Sequence, residues 1–162
     1  MKRVLVLAWG NPSRGDDALG PELVQRLERL AGQKAGAWRD HEFLTDFQLQ
    51  PEHATDLAER DLVLFADASA AGRAPFSFSR VSPARDPSFT SHAMSPPAVL
   101  AVYRQVFGRE PPEAYLLAIR GESFELGEPM SDGAERHLEA ALALTVRLLD
   151  ASDPADELRS DR

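Results

Sequence analysis

The chain opens on an unbroken apolar run, "RVLVLAW" over residues 3–9, of the kind found in a strand buried on both faces of a parallel sheet. Gly10-Asn11-Pro12 then supplies turn chemistry. From Pro21 the apolar residues Val24, Leu27 and Leu30 recur at helical spacing, with Pro21 suited to a first turn and Gly32 to a stop. The pattern predicts strand, loop, helix. A basic start before a short apolar run is also how signal peptides begin, but no small-residue cleavage site follows, so a first strand is expected.

Further along, "HEFLTDF" (41–47) is a weaker strand candidate and "PEHATDLAER" (51–60) reads as a short helix. "DLVLFAD" (61–67) is a second fully apolar strand that ends in a carboxylate, and "FSFSRV" (76–81) alternates strictly, as a strand with one exposed face at a sheet edge would. Ser95-Pro96 opens a helix whose stripe is Val99, Val102, Tyr103 and Val106, closing at Gly108. "EAYLLAI" (113–119) is a third apolar strand. The last helix should start at Ser131 or Asp132, with Glu135 in capping-box register, and bury Leu138, Ala141, Leu142, Thr145, Leu148 and Leu149.

Strands alternating with helices imply an α/β fold, a mostly parallel five-stranded sheet sandwiched between helices. Residues 1–150 are expected to form one domain and 151–162 a flexible charged tail. No apolar run reaches the roughly 20 residues a membrane span needs.

Composition narrows the chemistry. The absence of cysteine rules out disulfides, thiolate metal sites and a Cys nucleophile, leaving any metal to His and carboxylates. A net charge of −8 opposes binding to phosphate backbones.

In open α/β sheets ligands sit beyond the carboxyl ends of the strands. Asp16 and Asp17 follow the first strand, Asp67 ends the third, and His92 precedes the Ser95 helix, so all four can face one crevice. Two carboxylates and an imidazole suit zinc, nickel or a similar borderline ion and leave coordination positions open. Without a metal, the repelling carboxylates would instead raise one pKa and make a general acid or base. Simpler roles compete: Asp16 or Asp17 as a helix cap or in an Asx turn, Asp67 satisfying loop amides, His92 as a surface histidine. His53 lacks an HExxH pattern and is expected to face solvent on its helix; His41 and His137 have no evident partner set. A triad from Ser69 or Ser91 with His92 and Asp67 lacks the G-x-S-x-G elbow that would expose the serine. "AWGNPSRG" is not a dinucleotide fingerprint, because Ala8 stands where the first glycine is needed.

"VLVLAWGNPSRGDDALGPELVQRL", "DLVLFADAS" and "SHAMSPPAVLAVYRQVFG", in this order and spacing, resemble the hydrogenase maturation proteases, endopeptidases that process nickel-iron hydrogenase large subunits. The resemblance implies a twisted, phosphorylase/hydrolase-like α/β fold and removal of a C-terminal extension from the precursor after nickel insertion. It also implies that Asp17, Asp67 and His92 contact the substrate's nickel and carry catalysis, with Gly10, Asn11 and Asp16 as the supporting loop. No intrinsic cofactor is expected, other divalent ions being possible substitutes for nickel, and the partner would be the nickel-containing precursor. A cytoplasmic monomer that binds neither nucleic acid nor membrane completes the expectation. "TDFQLQPEHATDLAERD" resembles the segment of the subgroup serving soluble NAD-reducing hydrogenases. Ala8 and Ala18 stand where the family commonly has glycine, implying a stiffer loop, and Asp17 replaces the Glu of some members. Two other readings stay open: a non-catalytic metal-binding chaperone, and another hydrolase such as a peptidyl-tRNA hydrolase, whose "GNP" turn is similar.

Overall fold

The computed structural model describes residues 2–85, 94–151, 153 and 157–158. Five strands, β1 (Val4–Trp9), β2 (Glu42–Asp46), β3 (Leu62–Ser69), β4 (Phe76–Val81) and β5 (Glu113–Arg120), form one sheet in the order β2-β1-β3-β5-β4. All neighbours are parallel except β4, which pairs antiparallel with β5 at the edge, where its alternating sequence suits a strand wet on one side.

Helices α1 (Leu19–Ala31) and α4 (Asp132–Asp150) cover one face; the single-turn α2 (His53–Asp56) and α3 (Pro96–Phe107) cover the other. The apolar strands explain the two cores. Along β1, Val4, Val6 and Ala8 pack toward α1 and α4, while Leu5, Leu7 and Trp9 pack toward α2 and α3. Each face is sealed, so the central strands need no polar side.

Several boundaries differ from the sequence pattern. β3 continues past Asp67 to Ser69, because its ladder with β5 persists through Ser69 and Arg120 after the apolar residues end. Val106 is 62% exposed, and the α3 stripe is completed instead by Leu100 and Ala98. Ser131 caps α4 by accepting from the Ala134 amide, which leaves Glu135 one position past capping-box register; its carboxylate pairs with Arg26 of α1. In the tail, Leu158 packs against the α1–α4 core and Glu157 pairs with Arg147 at 3.3 Å. Among the described residues no helix is long and apolar enough to cross a membrane.

Candidate functional site

The turn after β1 is built by glycine. Gly10 sits at φ +147°, and a Cβ there would lie 2.1 Å from the carbonyl oxygen of Asp17. Only glycine lets the chain fold back this tightly. The Asn11 amide then donates to Asp17 Oδ2 at 2.7 Å, and the Ser13 amide donates to Asn11 Oδ1 at 2.9 Å, closing an Asx turn. At Gly20, a Cβ would lie 2.8 Å from the Trp9 carbonyl oxygen and 3.0 Å from that of Ala66. The absence of a side chain lets α1 start hard against the ends of β1 and β3.

Ala18 closes a 3-10 turn (Gly15–Ala18) at φ −74° and ψ −7°, an ordinary right-handed conformation, so no glycine is required there. Ala8 is wholly buried within β1.

The turn sends its two carboxylates in different directions. Asp16 is 0% exposed. Its Oδ2 accepts from the amides of Glu122 (2.6 Å) and Ser123 (3.0 Å) and from the Ser131 hydroxyl (2.7 Å), and its Oδ1 accepts from the Ser131 amide (2.7 Å). Burial alone would raise its pKa; the bonds from Glu122, Ser131 and Ser123 outweigh that and hold the carboxyl below its usual 3.8. Backbone bonds Asp16 N to Ser123 O, Gly15 N to Glu128 O and Gly127 N to Ser13 O complete the joint between this turn and the β5–α4 loop.

Asp17 is half-buried in the turn after β1, near enough to Asp67, in the carboxyl-terminal half of β3, for its charge to act on that carboxyl. Burial pushes the Asp67 pKa up to about 7, and the charge of Asp17 adds to the rise; the Ala68 amide, 2.7 Å from Oδ1, and the Trp9 indole pull the other way. A desolvated carboxylate beside a second negative charge favours either its own protonation or an arriving cation. Near neutrality Asp67 exchanges a proton readily, as a general acid or base must.

His92 lies outside the described residues. Among the described residues no three His, Asp or Glu side chains converge in a metal-binding group. His53 does not face solvent: it is buried, its Nδ1 accepts from the Gln50 amide at 2.8 Å, and its Nε2 lies 3.2 Å from Asp46 Oδ2. The reason is the short reverse course of residues 47–52, which returns His53 to the end of β2. Asp46 also accepts from Gly10 N through its carbonyl, at 3.1 Å, so this pair abuts the Asp17 turn. His41 and His137 serve the scaffold: His41 accepts from Val4 N and meets Leu149 O, and His137 meets Arg120 O at 2.7 Å.

Trp9, which bonds Asp67, and Asp46, which holds His53 and Gly10, did not stand out in the sequence. Trp9 reads there as the last apolar residue of a strand, and the pairing Trp9↔Asp46 comes from register between distant segments.

The architecture matches known structures. The [NiFe] hydrogenase maturation protease HycI from Thermococcus kodakarensis superposes with a TM-score of 0.70 at 23% identity, covering 93% of this chain and 94% of that one. The hydrogenase maturating endopeptidase HybD from E. coli gives a TM-score of 0.68 at 26% identity, covering 91% of each chain. This chain has the hydrogenase maturation protease fold. A hydrogenase 2 maturation peptidase from a Thaumarchaeota archaeon, with a TM-score of 0.60 at 23% identity, covers 91% of this chain and 98% of that one. No family model and no curated protein matches the sequence.

Proposed function

We propose that this protein is an endopeptidase that removes the C-terminal extension of a nickel-iron hydrogenase large-subunit precursor after nickel insertion. The observation that carries the reading is the neighbouring pair Asp17 and Asp67 on the hydrogenase maturation protease fold, with Asp67 raised to about 7.

In this reading the nickel belongs to the substrate. Asp17, Asp67 and His92 complete its coordination, and its arrival displaces the proton that Asp67 holds. Binding thus senses whether the precursor is loaded. The freed carboxylate then assists attack of water on the scissile carbonyl, or the metal polarises that carbonyl. Asp16 holds the turn and does not touch the ion. A cytoplasmic monomer acting on a soluble precursor fits a chain of net charge −8 with no membrane-crossing helix among its described residues. The segment 45–61 supports a soluble NAD-reducing hydrogenase as the enzyme served.

The test is mass spectrometry of candidate precursors, nickel-loaded and nickel-free, after incubation with the protein. Loss of a C-terminal peptide from the loaded form alone is expected. Retention of the metal-bound precursor without cleavage would replace the endopeptidase by a metal-binding chaperone. Wild-type processing by Asp17→Asn or His92→Ala would remove those residues from the site.

A further inference from the structure

Resting on the endopeptidase reading, we propose that Arg120 receives a carboxylate of the substrate's C-terminal extension. Side chains alternate across a strand, so Asp67 and Ser69 emerge on the same sheet face as Val63 and Phe65, and Arg120 on the same face as Ala114 and Leu116. That is the α2–α3 face in both cases. In the β3–β5 register Asp67 pairs with Ala118 and Ser69 with Arg120. Asp67 and Arg120 are therefore diagonal neighbours, with Cα atoms about 8 Å apart by strand geometry.

The guanidinium is held in place before any ligand arrives. Nη1 donates to the Gly72 carbonyl at 2.6 Å and Nε to the Gly121 carbonyl at 3.1 Å. Arg26, Arg60, Arg80, Arg104 and Arg147 each pair with a carboxylate, whereas Arg120 forms no ion pair among the described residues. Carbonyl dipoles orient the charge without neutralising it, and Nη2 remains for an incoming acceptor. A half-buried, preorganised guanidinium is suited to a planar carboxylate.

Any C-terminal extension ends in one carboxylate and can carry others on Asp or Glu side chains. An extended peptide advances about 3.4 Å per residue, so a group gripped at Arg120 lies roughly two or three residues from a carbonyl at Asp67. Arg120 then sets which bond reaches the carboxylate pair.

The test is steady-state cleavage of a nickel-loaded precursor and of versions in which each carboxylate of the extension is neutralised in turn, Asp to Asn, Glu to Gln, or the terminal acid to its amide. With the wild-type enzyme, one neutralisation should raise KM about tenfold or more at unchanged kcat. Which one does so separates a side chain from the chain terminus. With Arg120→Gln, the intact precursor should show that same KM and the neutralised one no further loss. If Arg120→Gln does not fold, Arg120→Lys should keep the preference in reduced form. A variant that retains the full discrimination, or lowers kcat alone, overturns the proposal and leaves Arg120 as a fastener of residues 70–75 or an oxyanion stabiliser. Failure of the wild type to cleave any loaded precursor defeats the endopeptidase reading itself, and this assignment with it.

Discussion

Asp16 and Ser131, 115 residues apart, are joined twice: the Ser131 amide donates to Oδ1 and its hydroxyl to Oδ2, both at 2.7 Å. Ser131 is also the N-cap of α4. One buried carboxylate thus fixes the turn carrying Asp17, the β5–α4 loop and the start of the last helix.

Asp16→Asn replaces one acceptor oxygen by an NH2 group that must face an amide or hydroxyl donor. The expected loss is roughly 2–4 kcal/mol at pH 7, read from urea denaturation. Because the folded pKa is depressed, the stabilisation is present above the unfolded value of 3.8 and is lost as pH falls through the lower folded value. The gap between wild type and variant should therefore narrow below pH 4. Equal stability at pH 7 would show that the joint does not need the charge.

Gly10→Ala should disrupt the turn, since its Cβ would meet a backbone oxygen at 2.1 Å, which no rotamer can relieve. A loss of about 2 kcal/mol or more is expected, with weakened protection of the Asn11 amide, which is bonded to Asp17. Hydrogen exchange at Asn11 checks the local effect, and an unchanged rate would contradict it.

Asp67 has the opposite linkage. Its folded pKa, about 7 against a usual 3.8, means that the folded state binds the extra proton in that window. Its contribution to stability is fully present below pH 4 and is lost as pH rises through 7. Asp67→Asn mimics the protonated form, so it should raise Tm at pH 8, corresponding to about 1–3 kcal/mol, and change it little at pH 4. Thermal scans at the two values decide; an equal shift at both would assign the effect to packing.

The central strands were legible because β1, β3 and β5 are buried on both faces and so carry unbroken apolar runs. The location of Asp67 and of the Asp16–Asp17 pair was legible for a related reason, since polar residues following such runs fall at the strands' carboxyl ends; that Asp16 turns inward to the β5–α4 loop while Asp17 does not was not. What escaped depends on pairings between distant segments. The end of β3 is set by its ladder to Arg120, after the hydrophobic signal has stopped. Burial of His53 depends on Asp46 seven residues earlier, across a turn whose course no periodicity encodes. The four bonds to Asp16 come from residues more than a hundred positions away, so sequence alone favours a local cap or Asx turn instead.

His41 supplies a further pH dependence, away from the crevice. Its Nδ1 lies 3.1 Å from the Val4 amide, which can only donate, so that nitrogen must be the bare acceptor. Nε2 therefore carries the proton and donates to the Leu149 carbonyl at 3.2 Å, tying the start of β1 to the end of α4. Burial, which penalises the charged imidazolium, is the largest effect and lowers the pKa below the usual 6.5 despite the Leu149 carbonyl and nearby Asp40. The unfolded chain thus binds the proton first as pH falls, and stability present above 6.5 is lost on acidification through the folded pKa. An NMR titration of the His41 ring should give a midpoint below 6.5, and His41→Asn, while less stable at pH 8, should lose less stability than wild type between pH 7 and 5. A ring that titrates at or above 6.5 would mean that the β1–α4 tie opens before the proton arrives.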